Sequence, residues 1–124
     1  YYHRETNRGH GDVKPANVIV TERPHHFVLI DFGSAWPVER TTRRDRGDGE
    51  TLPYAAPELL DSRRAADFRA DIFSHAVMMY ELLTNQIPYG GMGGAAVRYR
   101  SAPPLEPASM LSPDQVRLPA SLWR

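Results

Sequence analysis

Two short apolar runs, Val18-Ile19-Val20 and Phe27-Val28-Leu29-Ile30, stand either side of the polar stretch Thr21 to His26. Each is bounded by a side chain that carries chemistry, Asn17 before the first run and Asp31 after the second. Runs of β-branched and aromatic residues this short favour strands, and the interval between them is that of a hairpin loop. Pairing the two strands brings Asn17 and Asp31 together at the root of the hairpin. Immediately upstream, His10-Gly11-Asp12-Val13-Lys14-Pro15-Ala16-Asn17 sets an Asp, a Lys and an Asn in fixed order, and Asp31-Phe32-Gly33 adds a second Asp at the end of the second apolar run.

That order resembles the catalytic loop and the magnesium loop of eukaryotic-type serine/threonine protein kinases. Downstream, Thr51-Leu52-Pro53-Tyr54-Ala55-Ala56-Pro57-Glu58 resembles the end of their activation segment, and Asp71-Ile72-Phe73-Ser74 the start of the buried helix below the catalytic loop. The resemblance is close from Gly9 to Tyr89 and a tendency only from Gly90 to Arg124. It implies an α+β, protein-kinase-like fold of which the chain holds the C-terminal lobe, mainly α-helical with a small β-hairpin. Residues 1–124 are then one partial kinase domain, with the N-terminal lobe and the last helices outside it. No Gly-rich loop precedes Asp12, and Lys14 is the only lysine, so the chain reads as a fragment that is inactive by itself.

In such enzymes the protein does little covalent chemistry; it positions groups and neutralises charge on the transferred phosphoryl group. The resemblance implies ATP and Mg²⁺, with Asn17 and Asp31 as oxygen ligands of the metal, the donor type that Mg²⁺ prefers. Lys14 would set a point charge against the transferring phosphate. Asp12 would orient the acceptor hydroxyl of a protein Ser or Thr and take its proton. Thr51 would bond Asp12 and Lys14, Ile19 would form part of the apolar floor under adenine, and Asp71 would accept backbone N–H bonds from the catalytic loop. Gly33 would give the backbone after Asp31 torsions closed to other residues.

Composition narrows the partners. Fifteen basic and fifteen acidic side chains give no net charge, which removes the electrostatic argument for nucleic acid or an anionic membrane. The absence of cysteine removes any disulfide framework or thiolate zinc site and fits a reducing cytosol. No apolar run is long enough to span a bilayer. The expected setting is cytoplasmic, or the cytoplasmic domain of a membrane-anchored parent, with a protein substrate and no membrane contact from this segment.

The rest of the chain supplies scaffolding. Ser34 to Glu50 is polar and without period, and is expected to be an exposed mobile loop. Pro57 to Leu60 is expected to be a short helix. From Asp67 to Thr84 the apolar residues follow helical spacing nearly all round, which predicts a buried helix stopped by Asn85 and Pro88. Another short helix is expected near Ala95 to Arg100, and Leu118 to Trp123 looks like the start of one more. Gly91-Met92-Gly93-Gly94 lacks the preceding strand that a dinucleotide loop needs. Arg40, Arg43, Arg44 and Arg46 are interleaved with acids and read as a solvated loop. His25-His26 has no third ligand for a metal.

Departures from the family pattern leave alternatives open. Gly11 stands where many relatives carry an arginine that clamps a phosphorylated loop, so control by that route is not expected. His-Gly-Asp is also the form found in aminoglycoside and choline phosphotransferases, which act on small molecules. Lys14 and Ala56-Pro57-Glu58 favour protein substrates instead. A pseudokinase or interaction module is a third reading, opposed by the intact Asp12, Asn17 and Asp31.

Overall fold

A computed structural model of the chain describes residues 2–22, 26–38, 51–61 and 66–99. In chain order the elements are α1 (Tyr2–Thr6), β1 (Arg8–Gly9), β2 (Val18–Val20), β3 (Phe27–Leu29), β4 (Trp36–Pro37), α2 (Arg69–Thr84) and α3 (Gly94–Arg98). Single 3₁₀ turns occupy Pro15–Asn17, Phe32–Ser34 and Tyr89–Gly91. Helices and two small antiparallel sheets thus make up the described residues, in keeping with the expected α+β class.

The hairpin forms as its sequence dictates. Val18 lies opposite Leu29, Ile19 opposite Val28 and Val20 opposite Phe27. Ile30 N–H donates to Asn17 C=O at 2.9 Å, which prolongs the ladder to the hairpin root and brings Asn17 beside the residue that precedes Asp31. Because cross-strand partners share a face, Val18, Val20, Phe27 and Leu29 look one way and Ile19 and Val28 the other. The first face lines a groove of about 460 Å³ whose far wall is Met78, Met79, Leu82 and Leu83 of α2.

The second sheet corrects the sequence reading of a loop from Ser34 onward. Gly9 pairs with Trp36 and Arg8 with Pro37, so β4 leads away from the hairpin as a strand on β1. Two residues are too few to display alternation, and the pairing depends on a partner, Gly9, that lies far off in sequence. Residues 39–50, the remainder of the expected loop, lie outside the described residues. So do the segments expected to carry later turns and a further helix beyond residue 99.

Trp36 is also the centre of the core. It is 1% exposed and clusters with Ala56, Leu59, Ala66 and Ala70, with Phe73 packed against the group. Alanines around one indole let backbone come close to the ring, so a single large side chain fills the space between α2 and the segment leading to it. Truncating a buried aromatic of this kind costs about 3–5 kcal/mol.

α2 begins at Arg69, slightly later than its periodicity suggests, because the Asp67 carboxylate accepts the Arg69 N–H at 2.8 Å and holds the entering chain outside the helix. It ends as expected at Asn85, which takes a left-handed φ of 57° and donates its N–H to Glu81 C=O at 2.7 Å. The expectation of burial on every side is corrected. Ala70, Asp71, Ser74, Val77, Met78 and Thr84 are buried, whereas Ile72 is 58% exposed and Met79 and Leu82 are exposed as well. Pro57 to Leu60 makes turns, not a helix: Leu59 N–H reaches Ala56 C=O and Asp61 N–H reaches Glu58 C=O, three-residue bonds that do not propagate. The short helix expected near Ala95 is α3. Gly94 N–H donates to Ala55 C=O at 2.7 Å, and Arg98 reaches Leu60 C=O at 2.8 Å and the Asp61 carboxylate at 3.3 Å.

Candidate active site

The loop between β1 and the first 3₁₀ turn is held from below by one carboxylate. Asp71, in the first turn of α2 and buried, accepts His10 N–H on Oδ2 at 2.7 Å and Gly11 N–H on Oδ1 at 2.9 Å. His3 Nε2 donates to the same Oδ2 at 2.7 Å, which ties α1 to α2. Two buried backbone donors and one imidazole thus converge on an acid that an interior would otherwise expel. The acceptor role implied for Asp71 is the geometry observed.

His10 completes the floor. Its ring is fully buried; Nε2 donates to Ile30 C=O at 3.0 Å and Nδ1 accepts Asp12 N–H at 3.3 Å. Those two bonds set the tautomer with the proton on Nε2. One side chain therefore links the Asp12 backbone to the strand that delivers Asp31.

Above this floor three polar side chains meet at Asp12. Thr51 Oγ1 donates to Asp12 Oδ1 at 2.6 Å, and the Thr51 N–H reaches the same oxygen at 3.3 Å. Lys14 Nζ sits 2.6 Å from Asp12 Oδ2 and donates to Thr51 Oγ1 at 2.7 Å. Asn17 Nδ2 donates to Asp12 Oδ2 at 3.0 Å and to Asp12 C=O at 2.8 Å. Asp12 is only 8% exposed, and burial pushes its carboxyl up; the bonds from Lys14, Thr51 and Asn17 and the lysine charge outweigh that and leave it below the ordinary carboxylate value. The group is an ionised, oriented acceptor. Thr51 comes from a segment thirty-nine positions away, so the triangle forms only when that segment is docked.

Asp31 stands at the hairpin root with φ 61° and ψ 77°, and its Oδ1 accepts Gly33 N–H at 3.2 Å. The backbone freedom expected at Gly33 is thus corrected: the left-handed residue is Asp31, a type that tolerates the region better than most. At Gly33 the fit is close, since a Cβ there would stand 3.1 Å from Asp31 Oδ1, which would have to shift slightly to admit it. With its amide nitrogen committed to Asp12, Asn17 leaves Oδ1 as the atom outside that pair. Asn17 Oδ1 and the Asp31 carboxylate are hard oxygens at one hairpin end, a donor set that suits Mg²⁺. Ile19 is 49% exposed on the hairpin face opposite the groove, apart from the Asp12 cluster.

Other contacts were not anticipated. His3 lies in a segment with no apolar period, and nothing local marks it as a partner of Asp71. Tyr54 Oη donates to Glu81 Oε2 at 2.6 Å while its C=O accepts Ser74 Oγ at 2.8 Å. Burial, then the bond to Glu81 and its charge, push the Tyr54 phenol well above its ordinary range. Trp36, adjoining the Asp31-Phe32-Gly33 signature, carried a signal in its size alone.

Comparison with known proteins places the chain in a family. A family model described as protein kinase domain matches residues 1–110. The chain is 36% identical over 96 residues to the serine/threonine-protein kinase mos of Patiria pectinifera, covering 73% of this chain and 27% of that protein. It is 37% identical over 83 residues to serine/threonine-protein kinase A of Synechocystis sp., covering 64% of this chain and 16% of that one. Against serine/threonine-protein kinase PknJ of Mycobacterium tuberculosis it is 37% identical over 92 residues, 71% of this chain and 15% of the relative. The chain therefore belongs to the protein kinase family, and it spans well under a third of the length of these relatives. Among the described residues no helix is long and apolar enough to cross a membrane.

Proposed function

We propose that the protein transfers the γ-phosphoryl group of ATP to Ser or Thr hydroxyls of protein substrates, with Asp12, Lys14 and Thr51 as the catalytic set. The observation that carries this reading is the closed triangle in which Thr51 bonds Asp12 at 2.6 Å and Lys14 at 2.7 Å. A hydroxyl donor on Oδ1 fixes the carboxylate so that an acceptor hydroxyl meets an oriented, ionised oxygen. Lys14 holds its charge beside that oxygen and is placed to follow the phosphate as charge moves. Asn17 and Asp31 would hold Mg²⁺, and Ile19 would underlie the adenine. The metal, when bound, neutralises charge on the nucleotide phosphates.

Dependence on Thr51 favours protein acceptors over the small-molecule phosphotransferase reading, because the same residue opens the segment Thr51 to Glu58. A radiolabel transfer assay on the full-length protein, offering protein and aminoglycoside acceptors side by side, tests it. Phosphate on protein Ser or Thr is expected; phosphate on the aminoglycoside alone would overturn the protein-kinase reading, and none on either would favour a pseudokinase. By itself the stretch 1–124 is expected to show no turnover.

A further inference from the structure

Gly9 and Gly11 flank the buried His10, and both lie against the ring of Trp36. A Cβ on Gly9 would stand 2.5 Å from Trp36 Cζ2, and one on Gly11 2.6 Å from Cζ3. Real Cβ contacts do not come so close, so the loop before Asp12 and the indole are fitted face to backbone. Gly11 also has φ +87°, and Ser34 C=O would lie 2.7 Å from its Cβ. The ring reaches further. Ala56 and Leu59, from beyond residues 39–50, share its cluster with Ala66, just before α2, and Ala70 in its first turn. Arg8 Nη2 donates to Ala35 C=O at 2.7 Å and Val38 N–H to Asn7 C=O at 3.0 Å, so the β1–β4 contact is bonded on the chain both before and after Trp36. Among the described residues Trp36 Nε1 has no hydrogen-bond acceptor, and the contacts to Gly9 and Gly11 are made by carbons of the ring.

We propose that Trp36 is a positioning residue for Asp12: its ring clamps the Gly9-His10-Gly11 backbone against β4 on one side and against Ala56 and Leu59, downstream of Thr51, on the other, and no phosphate takes part in the clamp. In sequence Thr51, which orients Asp12, lies on the stretch whose two ends, Trp36 itself and Ala56, meet in this cluster. Holding the two ends on one ring sets where Thr51 can reach. Gly11 is then the residue that the indole requires, since any side chain there would enter the ring. The kinetic part of this inference rests on the phosphoryl-transfer reading; the structural part does not.

The test uses the full-length protein and three variants. Trp36→Leu keeps an apolar core side chain but removes the flat face; kcat should fall at least about tenfold, with KM for Mg-ATP nearly unchanged, and amide exchange at residues 9–12 should quicken by a similar factor. Trp36→Phe keeps a flat ring but loses the benzo edge that meets Gly9 and Gly11, and should fall between wild type and Trp36→Leu in both protection and turnover. Gly9→Ala should imitate Trp36→Leu, and adding Trp36→Leu to it should cause little further loss, because both act through one contact. Wild-type exchange and kcat in Trp36→Leu, fully additive losses in the double variant, or Trp36→Phe falling as far as Trp36→Leu would each overturn the proposal. If the wild-type protein transfers no phosphate at all, the kinase reading fails while the exchange measurements still decide whether the clamp exists.

Discussion

The loop around Asp12 and the hairpin beside it differ in what holds them. Around Asp12 the contacts are polar and come from many places in sequence: α1 through His3, the hairpin through Ile30 and Asn17, α2 through Asp71, and the segment after residue 50 through Thr51. Across the hairpin the surface is apolar and open, with Val20, Phe27, Met79 and Leu82 exposed around the groove. A two-stranded hairpin has little stability of its own in water. One region is therefore specified by satisfied hydrogen bonds and the other by apolar area still in contact with solvent. The lesson is that a precise polar site can be assembled on a small core when its buried polar groups draw partners both from their own loop and from several other segments.

Asp12→Asn attacks the first region at its centre and should have the largest effect. The amide cannot act as a base, and kcat is expected to fall by about 10³-fold, on the order of 4 kcal/mol of transition-state stabilisation, while Mg-ATP binding is nearly unchanged. Steady-state kinetics with a separate nucleotide titration check this. Equal losses in both would mean that Asp12 holds the nucleotide and not the acceptor.

Asp71→Ala comes next. It strips the acceptor from two buried N–H groups and from His3, so a loss of about 3 kcal/mol in urea denaturation is expected. Asp71→Asn, which keeps an acceptor, should lose less. If both variants unfold with wild-type midpoints, the floor under Asp12 is not what holds the loop, and the contrast with the hairpin collapses.

A smaller effect should appear in pH dependence. Asp12 titrates below its ordinary value of 3.8 in the folded protein, so it stabilises the fold above that value and loses this contribution as pH falls through its lowered folded value. Thr51→Val removes a bond that lowers the value and leaves burial, which raises it. The acid limb of kcat/KM should therefore move toward neutral pH in Thr51→Val. A limb that stays in place, or moves to lower pH, would show that Thr51 does not tune the carboxylate.

These two regions also differ in how far the sequence announces them. The hairpin was legible because β-branched runs report strand and length directly, and the motif residues Asp12, Lys14, Asn17 and Asp31 sit in a fixed order around it. The Asp71 contact was legible through the resemblance. The clamp at Trp36 was not, because a two-residue strand has no period and its partner Gly9 is remote. The left-handed backbone fell on Asp31 instead of Gly33, since a carboxylate that caps the following turn can offset the strain that glycine would avoid. Exposure of Ile72, Met79 and Leu82 was hidden for a similar reason: apolar spacing shows which residues seek cover, not which of them obtain it.

Apolar exposure gives the next prediction. Met79→Ser with Leu82→Ser should lower binding of a hydrophobic dye to residues 1–124 while changing stability by only about 0.5 kcal/mol, as exposed positions usually do. A loss several times larger would show that these side chains are packed, and would remove the contrast from the other side.

The smallest effect is expected at Thr41 and Thr42, which lie outside the described residues and are flanked by arginines in sequence. If a phosphate there were needed to order the segment, its charge would have to find a cation near the catalytic loop. Gly11 offers none, and Trp36 already fills the space over it. The bonds that place Thr51 on Asp12 likewise involve no phosphate. Replacing both threonines with Ala in the full-length protein should therefore leave kcat close to wild type, whether or not the protein has first been treated with a phosphatase. A hundredfold loss, about 2.7 kcal/mol, would mean that a cation elsewhere reads the loop. The polar region would then be completed by modification, and the indole clamp would be one of two devices that order it.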